Sequence, residues 1–532
     1  MGLIDLPIPA FQCVVEHMVA IVGLYKAVRL RLISCKFPLK LLLSSSSTSL
    51  SISDLVTGRF NEEVDRAVFQ TRIFAFDGDW RPRMMRPEVM ARRLIGEVTR
   101  PTQLAHPLTI TIKTLAEWLE RHNEGTEAGD GKTARDFIST LCHAAAHHIP
   151  PYDVCELLKT PLQPKPFPAD PSPIDQLAAV AAVGSLQQVR NLLAEGIEPN
   201  AESEYLGYPV QNAAFNNHAD LVTIFLQQPS KETSCSDPSN HDRANARAAA
   251  LIAASGAGHN NIVQYILSST TNLGPDLLQE HNAAAIEAGA TNGHIDALRS
   301  LILAQARSPF PDSTSANQAK IKAFFTACFC GYLQVVHMLV LEFGVDAKVT
   351  NHEGRNGLHM AAEGGHARVV SLLLKHGTRF YAYNRGDPVF LAAKNGYEYA
   401  VRVLLDAGAE VDPDGGCDAG ILSGCARNGE VSMIRYLMTR GLIVKAGGWT
   451  VEEALERAAD RGQVESVKLL AALGAPVSGR KRKNGPLLRV LLYGQDEVVK
   501  VLREFGAEDA ELRGSEYMCN FDLEELPLRY NP

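Results

Sequence analysis

The chain has 532 residues, of which 46% are hydrophobic and 21% are charged, and its formal net charge at pH 7 is −8. This composition predicts a soluble protein that forms a core rather than a disordered chain. The acidic balance argues against non-specific binding to nucleic acid or to an anionic membrane, so we expect neither among the partners.

The cysteines and the N-terminus both bear on the cellular compartment. Ten cysteines are scattered irregularly along the chain, which is typical of reduced thiols in the cytosol or nucleus. The N-terminus lacks the basic start and the small-residue cleavage site of a signal peptide. Its uncharged runs, such as Met18–Tyr25, are too short to span a bilayer. We therefore expect a cytoplasmic or nuclear protein, or both, without a membrane anchor.

The first segment, residues 1–37, contains two apolar helical patterns. Leu6 and Pro7 open the first pattern, and the second carries Leu30 and ends at Phe37. This arrangement resembles an F-box, which begins with Leu-Pro and continues in apolar helices. The resemblance implies that Leu6, Pro7, Leu30 and Phe37 bind the adaptor of a cullin-type ubiquitin ligase. The alternative is that these helices only cover one end of a helical array.

Three further segments separate this start from the rest of the chain. Residues 38–59 are Ser-rich and fit no helical pattern, so we interpret them as a disordered insertion or a translated intron. Residues 60–160 are mostly helical in pattern and are predicted to form a helical linker domain. Residues 161–172, "PLQPKPFPADPS", are predicted to be a stiff Pro-rich joint.

Two stretches of the linker domain bring together residue types that could carry chemistry. "GTEAGDGKT" (Gly125–Thr133) has Thr at position 126, where a phosphate-binding loop needs glycine, so a charged surface loop is the better interpretation. His143 and His147 are four residues apart, a spacing that can hold zinc on a helix, but no second ligand pair follows. "CFC" at Cys328–Cys330 is interpreted as packing. We therefore predict a protein that is not an enzyme, with no catalytic residue, metal or cofactor.

From residue 173 to 508 one unit recurs about ten times. Each copy has a short Ala-rich segment, a turn, and a longer segment rich in Leu and Val. The turn residues are Gly184, Asn217, Gly258, Gly293, Gly331, Gly365, Gly396, Gly429, Gly462 and Gly494. The successive differences between these residue numbers are 33, 41, 35, 38, 34, 31, 33, 33 and 32. A period near 33 predicts a stacked repeat array rather than a globular domain.

The first segment of each unit shows which repeat this is. "GLHMAA" (Gly357–Ala362), "DPVFLAA" (Asp387–Ala393) and "YPVQNAA" (Tyr208–Ala214) resemble the T-P-L-H-x-A signature of ankyrin repeats. The resemblance implies an all-α solenoid of helix-turn-helix repeats with β-turn fingers, whose turns and concave face bind protein partners. Small alanines allow the first helices to approach closely, and we expect paired leucines such as Leu372 and Leu373 to fill the space between repeats.

The three histidines in and after "GLHMAA" could suggest a ligand set, but the resemblance implies a structural role. His359 stands at the signature histidine, which in ankyrin-like sequences ties neighbouring loops by hydrogen bonds. His366 follows the turn glycine and His376 ends its second helix. We interpret all three as structural.

The order of segments resembles that of fungal proteins in which an F-box-like start precedes ankyrin repeats. In such proteins the second helix usually runs directly into a sequence of the form E-V-x-x-A-x-F. Here "NEEVDRAVFQTRIF" supplies that continuation only after residues 38–59.

One turn departs from the ankyrin pattern. After Gly377 the chain reads "TRFYAYNRGD". At this place an ankyrin repeat normally continues with a sequence similar to A-D-V-N. Aromatic and Arg side chains are favoured anchors of binding interfaces. We therefore predict a partner-binding role for Arg379, Phe380, Tyr381, Tyr383 and Arg385. The alternative is that the aromatic rings pack on an adjacent turn.

Two charged stretches remain. "RKRK" at Arg480–Lys483 is either a nuclear localisation signal or a solvated charge run. Residues 509–532 are predicted to be an acidic, poorly ordered C-terminal tail. Taken together, the sequence predicts a protein-binding scaffold, and one hypothesis makes it the substrate-recognition subunit of a cullin-type ubiquitin ligase. The alternative is an ankyrin scaffold or regulator with no ubiquitin role.

Overall fold

The computed structural model describes most of the chain from residue 87 onward. The described residues are 87–99, 107–122, 133–149, 171–227, 238–269, 275–306, 313–380, 387–409, 419–441, 449–477, 486–487, 490 and 495–507. They fall into two compact units, the first with residues up to 289 and 296–311, the second with 290–295 and everything from 312.

Helices that belong mainly to the first unit come in chain order as a group of three and then as pairs. They are α1 (Pro87–Val98), α2 (Pro107–His122), α3 (Ala134–His148), α4 (Pro173–Val183), α5 (Leu186–Ala194), α6 (Pro209–Phe215), α7 (Ala219–Gln227), α8 (Pro238–Ala257), α9 (Asn260–Ser268), α10 (Pro275–Asn292) and α11 (Ile295–Ala306). Helix α10 ends, and α11 begins, in residues assigned to the second unit.

The second unit continues the same alternation of first and second helices. Its helices are α12 (Ser313–Cys330), α13 (Leu333–Leu341), α14 (Gly357–Glu363), α15 (Ala367–Lys375), α16 (Pro388–Lys394), α17 (Glu398–Asp406), α18 (Ala419–Arg427), α19 (Val431–Thr439), α20 (Trp449–Asp460), α21 (Val464–Ala472) and α22 (Asp496–Glu504). None of the helices in the described ranges is long and apolar enough to cross a membrane.

The helices stack in two parallel layers within each unit. In the first unit α4, α6 and α8 pack in sequence, and α5, α7 and α9 form a second row. In the second unit the first helices α12, α14, α16, α18 and α20 pack in sequence, beside rows of second helices (α13–α15–α17 and α19–α21–α22). Apart from two isolated β-bridges, the described residues are helices, turns and loops.

Helices α1–α3 lie in the predicted linker region and pack on the first repeat. Helix α1 packs on α2 and α3, and both α2 and α3 contact α4. The His147 ring of α3 lies 3.9 Å from the Phe215 ring of α6, centroid to centroid. Gln188 Nε2 of α5 donates to the carbonyl oxygen of His122 at 2.9 Å. These helices therefore cover the apolar end of the row that starts with α4.

Alanines and leucines pack at the positions that the sequence predicts, with one exception at Leu372. Ala361 and Ala362 are fully buried where first helices approach each other. Leu373 is also fully buried, whereas Leu372 is only half-buried. Adjacent residues of an α-helix point about 100° apart, so the expectation that both leucines of a pair fill the space between repeats is wrong at this repeat.

Three consecutive first helices are longer than the others. Helices α8, α10 and α12 have 20, 18 and 18 residues, whereas α6, α14 and α16 have 7 each. The sequence carries this signal, because the three turn-to-turn intervals that contain the long helices are the widest in the array. The extra residues lengthen the first helix rather than only the loop before it.

The turn between the two helices of a repeat is closed by the next repeat. Gly331 has φ +80°, and an added Cβ would lie 2.2 Å from Nδ1 of His366, which belongs to the following repeat. Gly365 has φ +76°, and a Cβ added there would meet the Tyr397 ring in the same way. In the first unit His259 Nε2 lies 2.9 Å from the Phe215 carbonyl oxygen. At these three turns the residue after the following turn packs on the turn before it, which supports the structural interpretation of His366.

We predict that Leu373→Ala lowers the free energy of unfolding by ~2–5 kcal/mol, because it leaves a cavity in a fully buried site. Chemical denaturation followed by circular dichroism measures the loss. Leu341→Ala is the matched control, since Leu341 is 54% exposed and its truncation is expected to cost less than about 0.5 kcal/mol. Equal losses for the two variants would contradict the packing described.

Gly331→Ala is expected to destabilise the chain by more than the ~1–2 kcal/mol of a left-handed residue alone, because the new methyl group meets the His366 ring. Gly354→Ala is the control. Gly354 also has a positive φ, +74°, but has no atom within 4 Å of an added Cβ. The same denaturation experiment compares the two, and a loss for Gly331→Ala no larger than that of the control would show that the turns do not close on each other.

Candidate protein-binding groove

The loop that follows α15 is held against the preceding finger by two hydrogen bonds. The Thr378 hydroxyl donates to the carbonyl oxygen of Ala347 at 3.1 Å, and Thr378 is only 4% exposed. The Asn356 amide Nδ2 donates to the carbonyl oxygen of Arg379 at 3.1 Å. Residues 378–380 are therefore fixed in position by the finger of the previous repeat.

The finger itself is a β-turn closed by side chains. Thr350 and Asn356 form an antiparallel β-bridge. The Asn351 Oδ1 atom accepts from the backbone N–H groups of Glu353 and Arg355 at 3.0 and 2.9 Å. This self-contained turn explains why "TNHEGRNG" forms an ordered finger, which the fold class predicts.

Asn356 and His359 connect the finger to α14. Asn356 is the N-cap of α14, and its Oδ1 accepts from the backbone N–H of Leu358 at 3.0 Å. His359 Nδ1 lies 2.7 Å from the same Oδ1. The same Nδ1 lies 3.2 Å from the backbone nitrogen of Asn356, so the ring contacts both the side chain and the main chain of the N-cap residue. His359 thus fixes Asn356, and Asn356 makes the bond to the next loop.

A groove lies where this loop meets the ends of two second helices. Its volume is about 670 Å³, and it is lined by Lys348, Leu374, Gly377, Thr378, Arg379, Phe380 and Ala407. Leu374 lies in the last turn of α15, and Ala407 is the C-cap of α17. The apolar lining comes from Leu374, Phe380 and Ala407. The groove therefore combines a partly apolar wall with two cationic side chains.

The two cations of the groove have no acidic partner among the residues that the structure describes. Lys348 and Arg379 are both exposed. The bonds that the structure gives for them involve the backbone only, Lys348 N–H to Asp346 and the Arg379 carbonyl to Asn356. Lys348 Nζ lies over Gly377, 4.0 Å from where its Cβ would be. Two positive charges at one groove favour an anionic occupant.

The neighbouring outer surface shows the opposite arrangement. Between α17 and α19, Arg402 Nε donates to Glu398 at 2.9 Å and its guanidinium carbon lies 4.4 Å from the Tyr436 ring centroid. Arg440 pairs with Asp406 across the same two helices. These arginines hold the two repeats together, so their charges are already compensated.

The predicted partner-binding residues divide into two groups. Arg379 and Phe380 line the groove, whereas Tyr381, Tyr383 and Arg385 lie outside the described residues. Their role stays a prediction. The predicted adaptor-binding residues Leu6, Pro7, Leu30 and Phe37 also lie outside the described residues. The same holds for the Ser-rich insertion (38–59), for "RKRK" (480–483) and for the acidic tail (509–532).

The sequence predicts only part of the groove. Neither Lys348 nor Leu374 is among the predicted partner-binding residues. Lys348 precedes Arg379 by 31 positions, which is close to the repeat period, so the register alone places the two in neighbouring fingers. Leu374 belongs to the same apolar run as the core residue Leu373, but it is half-buried and faces the groove.

The candidates for metal or thiol chemistry are engaged elsewhere. His143 Nδ1 lies 2.8 Å from the Ser139 carbonyl oxygen, and His147 packs on Phe215. Among the described residues no group of three or more His, Cys, Asp or Glu side chains could hold a metal ion. Burial raises the pKa of the Cys328 and Cys142 thiols, which disfavours the reactive thiolate.

Comparison with known proteins identifies the repeat. Residues 324–414, which contain all the groove-lining residues, match the family model "Ankyrin repeats (3 copies)". The repeats in this stretch are therefore ankyrin repeats. With the helical pairs and the finger described above, the fold class is an all-α ankyrin solenoid, as the sequence predicts.

The curated relatives share only part of their length with this chain. "Ankyrin repeat and KH domain-containing protein mask-1" of Caenorhabditis elegans is 30% identical over 273 residues, which is 49% of this chain and 10% of that protein. "L-asparaginase" of Dirofilaria immitis is 30% identical over 116 residues, 21% of this chain and 20% of the enzyme. "Potassium channel AKT2/3" of Arabidopsis thaliana is 29% identical over 140 residues, 26% of this chain and 17% of the channel.

The chain thus spans a fifth or less of each of these relatives. Their names describe different activities, so no activity passes from them to this chain. Among solved structures, the human ASB11 ankyrin repeat domain is similar with 22% identity and a TM-score of 0.34, covering 39% of this chain and 98% of that domain.

We predict that Thr378→Val lowers the free energy of unfolding by about 1–2 kcal/mol, because it keeps the shape of a buried side chain but removes its bond to Ala347. Thr223→Val is the control, since the Thr223 hydroxyl bonds only within α7 at an exposed position. Denaturation curves of the two variants test the difference. A neutral Thr378→Val would show that the loop is not held through this bond.

Proposed function

We propose that this chain is a protein-binding scaffold whose partner lies in the groove formed by Lys348, Leu374, Arg379 and Phe380. The observation that carries the proposal is the pairing of an apolar wall with two exposed cations that have no acidic partner in the described residues. The proposal involves no catalytic residue, metal or cofactor.

Ankyrin repeats indicate a role in protein–protein interaction, and the matched repeats cover residues 324–414. The groove lies within this stretch. A partner that places a carboxylate near Lys348 or Arg379 would gain a charge-assisted bond, while an apolar side chain against Leu374 and Phe380 would remove hydrophobic surface from water. Such a combination of apolar centre and polar rim is common in protein interfaces.

A finer proposal concerns the N-terminus. We propose that residues 1–37 bind the adaptor of a cullin-type ubiquitin ligase and that the repeats select the protein to be modified. Its support is the F-box-like pattern of Leu6, Pro7, Leu30 and Phe37. Such a role would place the chain in the cytoplasm, the nucleus or both. The second candidate is a scaffold or regulator without a ubiquitin role, supported by the ankyrin repeats themselves, which indicate protein binding.

The groove is tested by affinity purification of the full chain from cells of its source, with captured proteins quantified by mass spectrometry. We expect the charge reversals Lys348→Glu and Arg379→Glu together to reduce capture of specific partners by about tenfold or more. Arg368→Glu with Arg435→Glu is the matched control. These two arginines are also exposed, lie on α15 and α19, and give the same change in net charge.

Equal capture by the two double variants would overturn the groove as the binding surface. Loss of capture by both would show that net charge, rather than the groove, governs binding. Both variants change exposed residues, so circular dichroism is expected to show unchanged helical content.

The adaptor proposal is tested in the same purification with Leu6→Asp and Leu30→Asp in the full chain. We expect a ligase adaptor to be recovered with the original chain and lost from this variant, while partners bound through the groove remain. Recovery of the same proteins with both chains, and of no adaptor with either, would favour the scaffold without a ubiquitin role.

A further inference from the structure

We propose that the acidic C-terminal segment of this same chain, residues 508–532, occupies the groove when no partner is bound. This inference rests on the proposed binding function of the groove and adds its regulation. The segment would act as an internal competitor, so that a partner must displace it to bind.

The first support is charge complementarity. Residues 508–532, "EDAELRGSEYMCNFDLEELPLRYNP", contain seven acidic and two basic residues. The groove presents Lys348 and Arg379, which have no acidic partner in the part of the chain that the structure describes. Bringing the segment to the groove would compensate both charges without breaking an ion pair already made, unlike a position beside Arg402 or Arg440.

The second support is the pattern of apolar residues within the segment. In "NFDLEELPL" the apolar residues Phe521, Leu523 and Leu526 are adjacent in sequence to the acidic residues Asp522, Glu524 and Glu525. A groove with an apolar wall and a cationic rim needs both kinds of side chain close together in one peptide. Leu374 and Phe380 would face the apolar residues, and the two cations would face the carboxylates.

The third support is where the segment leaves the array. Ala507, the last described residue, follows the C-terminal end of α22. The groove lies at the C-terminal ends of α15 and α17. Second helices of successive repeats run in the same direction, so the segment starts on the edge of the second unit that carries the groove.

The segment is also long enough. From α22 the row of second helices passes through α21 and α19, which pack in sequence, to α17, which is bridged to α19 by Asp406 and Arg440. At ~10 Å between neighbouring helix axes the path is about 30–40 Å. Ten extended residues cover about 33–36 Å, which leaves residues 518–532 to lie in the groove.

The direct test is zero-length carbodiimide cross-linking of the full chain, with cross-linked peptides mapped by mass spectrometry. We expect Lys348 Nζ to form an amide with a carboxylate of residues 508–532, with loss of water to the carbodiimide. A mixture of isotopically light and heavy chains distinguishes the source of the carboxylate, and we expect links only between peptides of the same label. Links between different labels, or no link to this segment, would overturn the proposal.

Arg379→Glu tests whether the second cation of the groove, which the carbodiimide does not cross-link, helps to hold the segment. It is expected to reduce the yield of the Lys348 link by about threefold or more, as is ~1 M salt, where the Debye length is only about 3 Å. Arg368→Glu is the matched control, because Arg368 is exposed in the first turn of α15, away from the helix ends that carry the groove; it is expected to leave the yield unchanged. Equal yields for the two variants would overturn the placement of the segment in the groove.

A second readout separates this inference from the function on which it rests. We expect the triple variant Asp522→Asn, Glu524→Gln and Glu525→Gln of the full chain to capture several-fold more of the groove partners. If capture is unchanged while Lys348→Glu with Arg379→Glu still abolishes it, the groove binds partners but the internal competitor is wrong. If the groove variant also captures as much as the original chain, the proposed function fails.

Discussion

The helical pairs of the described repeats cannot bury their own apolar surface, and the rest of the structure depends on that constraint. A pair such as α14 and α15 has fully buried residues, Ala361 and Leu373 among them, only because the pairs on either side cover them. Each repeat must therefore meet its neighbours in a fixed register. The same register closes the turns at Gly331 and Gly365, because the residue after the next turn packs on each of them.

The groove follows from this register. Fingers of successive repeats lie beside each other, and Thr378 and Asn356 bond the loop of one repeat to the finger before it. The outward-facing side chains of loops do not pack in the core, so they can vary without loss of the fold. Lys348 and Arg379 stand at such positions. The paired arginines between α17 and α19, by contrast, hold neighbouring repeats together and leave no charge for a partner.

The sequence predicts the repeated fold well because the repeat period is a direct consequence of packing. The turn glycines locate the helical pairs, and the three widest intervals between turns even signal the long helices α8, α10 and α12. The sequence predicts only some of the residues that line the groove. Arg379 and Phe380 stand out against the ankyrin pattern, but Lys348 belongs to no motif, and its role depends on Arg379 in the next repeat. Leu372 shows a further limit, because the pattern of paired leucines does not tell which one faces inward.

We propose that partners bind the groove between neighbouring repeats rather than the paired surface of α17 and α19. Hydrogen exchange of the full chain with and without a captured partner tests this most directly. We expect slower exchange of backbone amides at residues 347–349 and 374–380 in the complex, with exchange in α17 and α19 unchanged. Slower exchange on α17 and α19, with none at the groove, would contradict it.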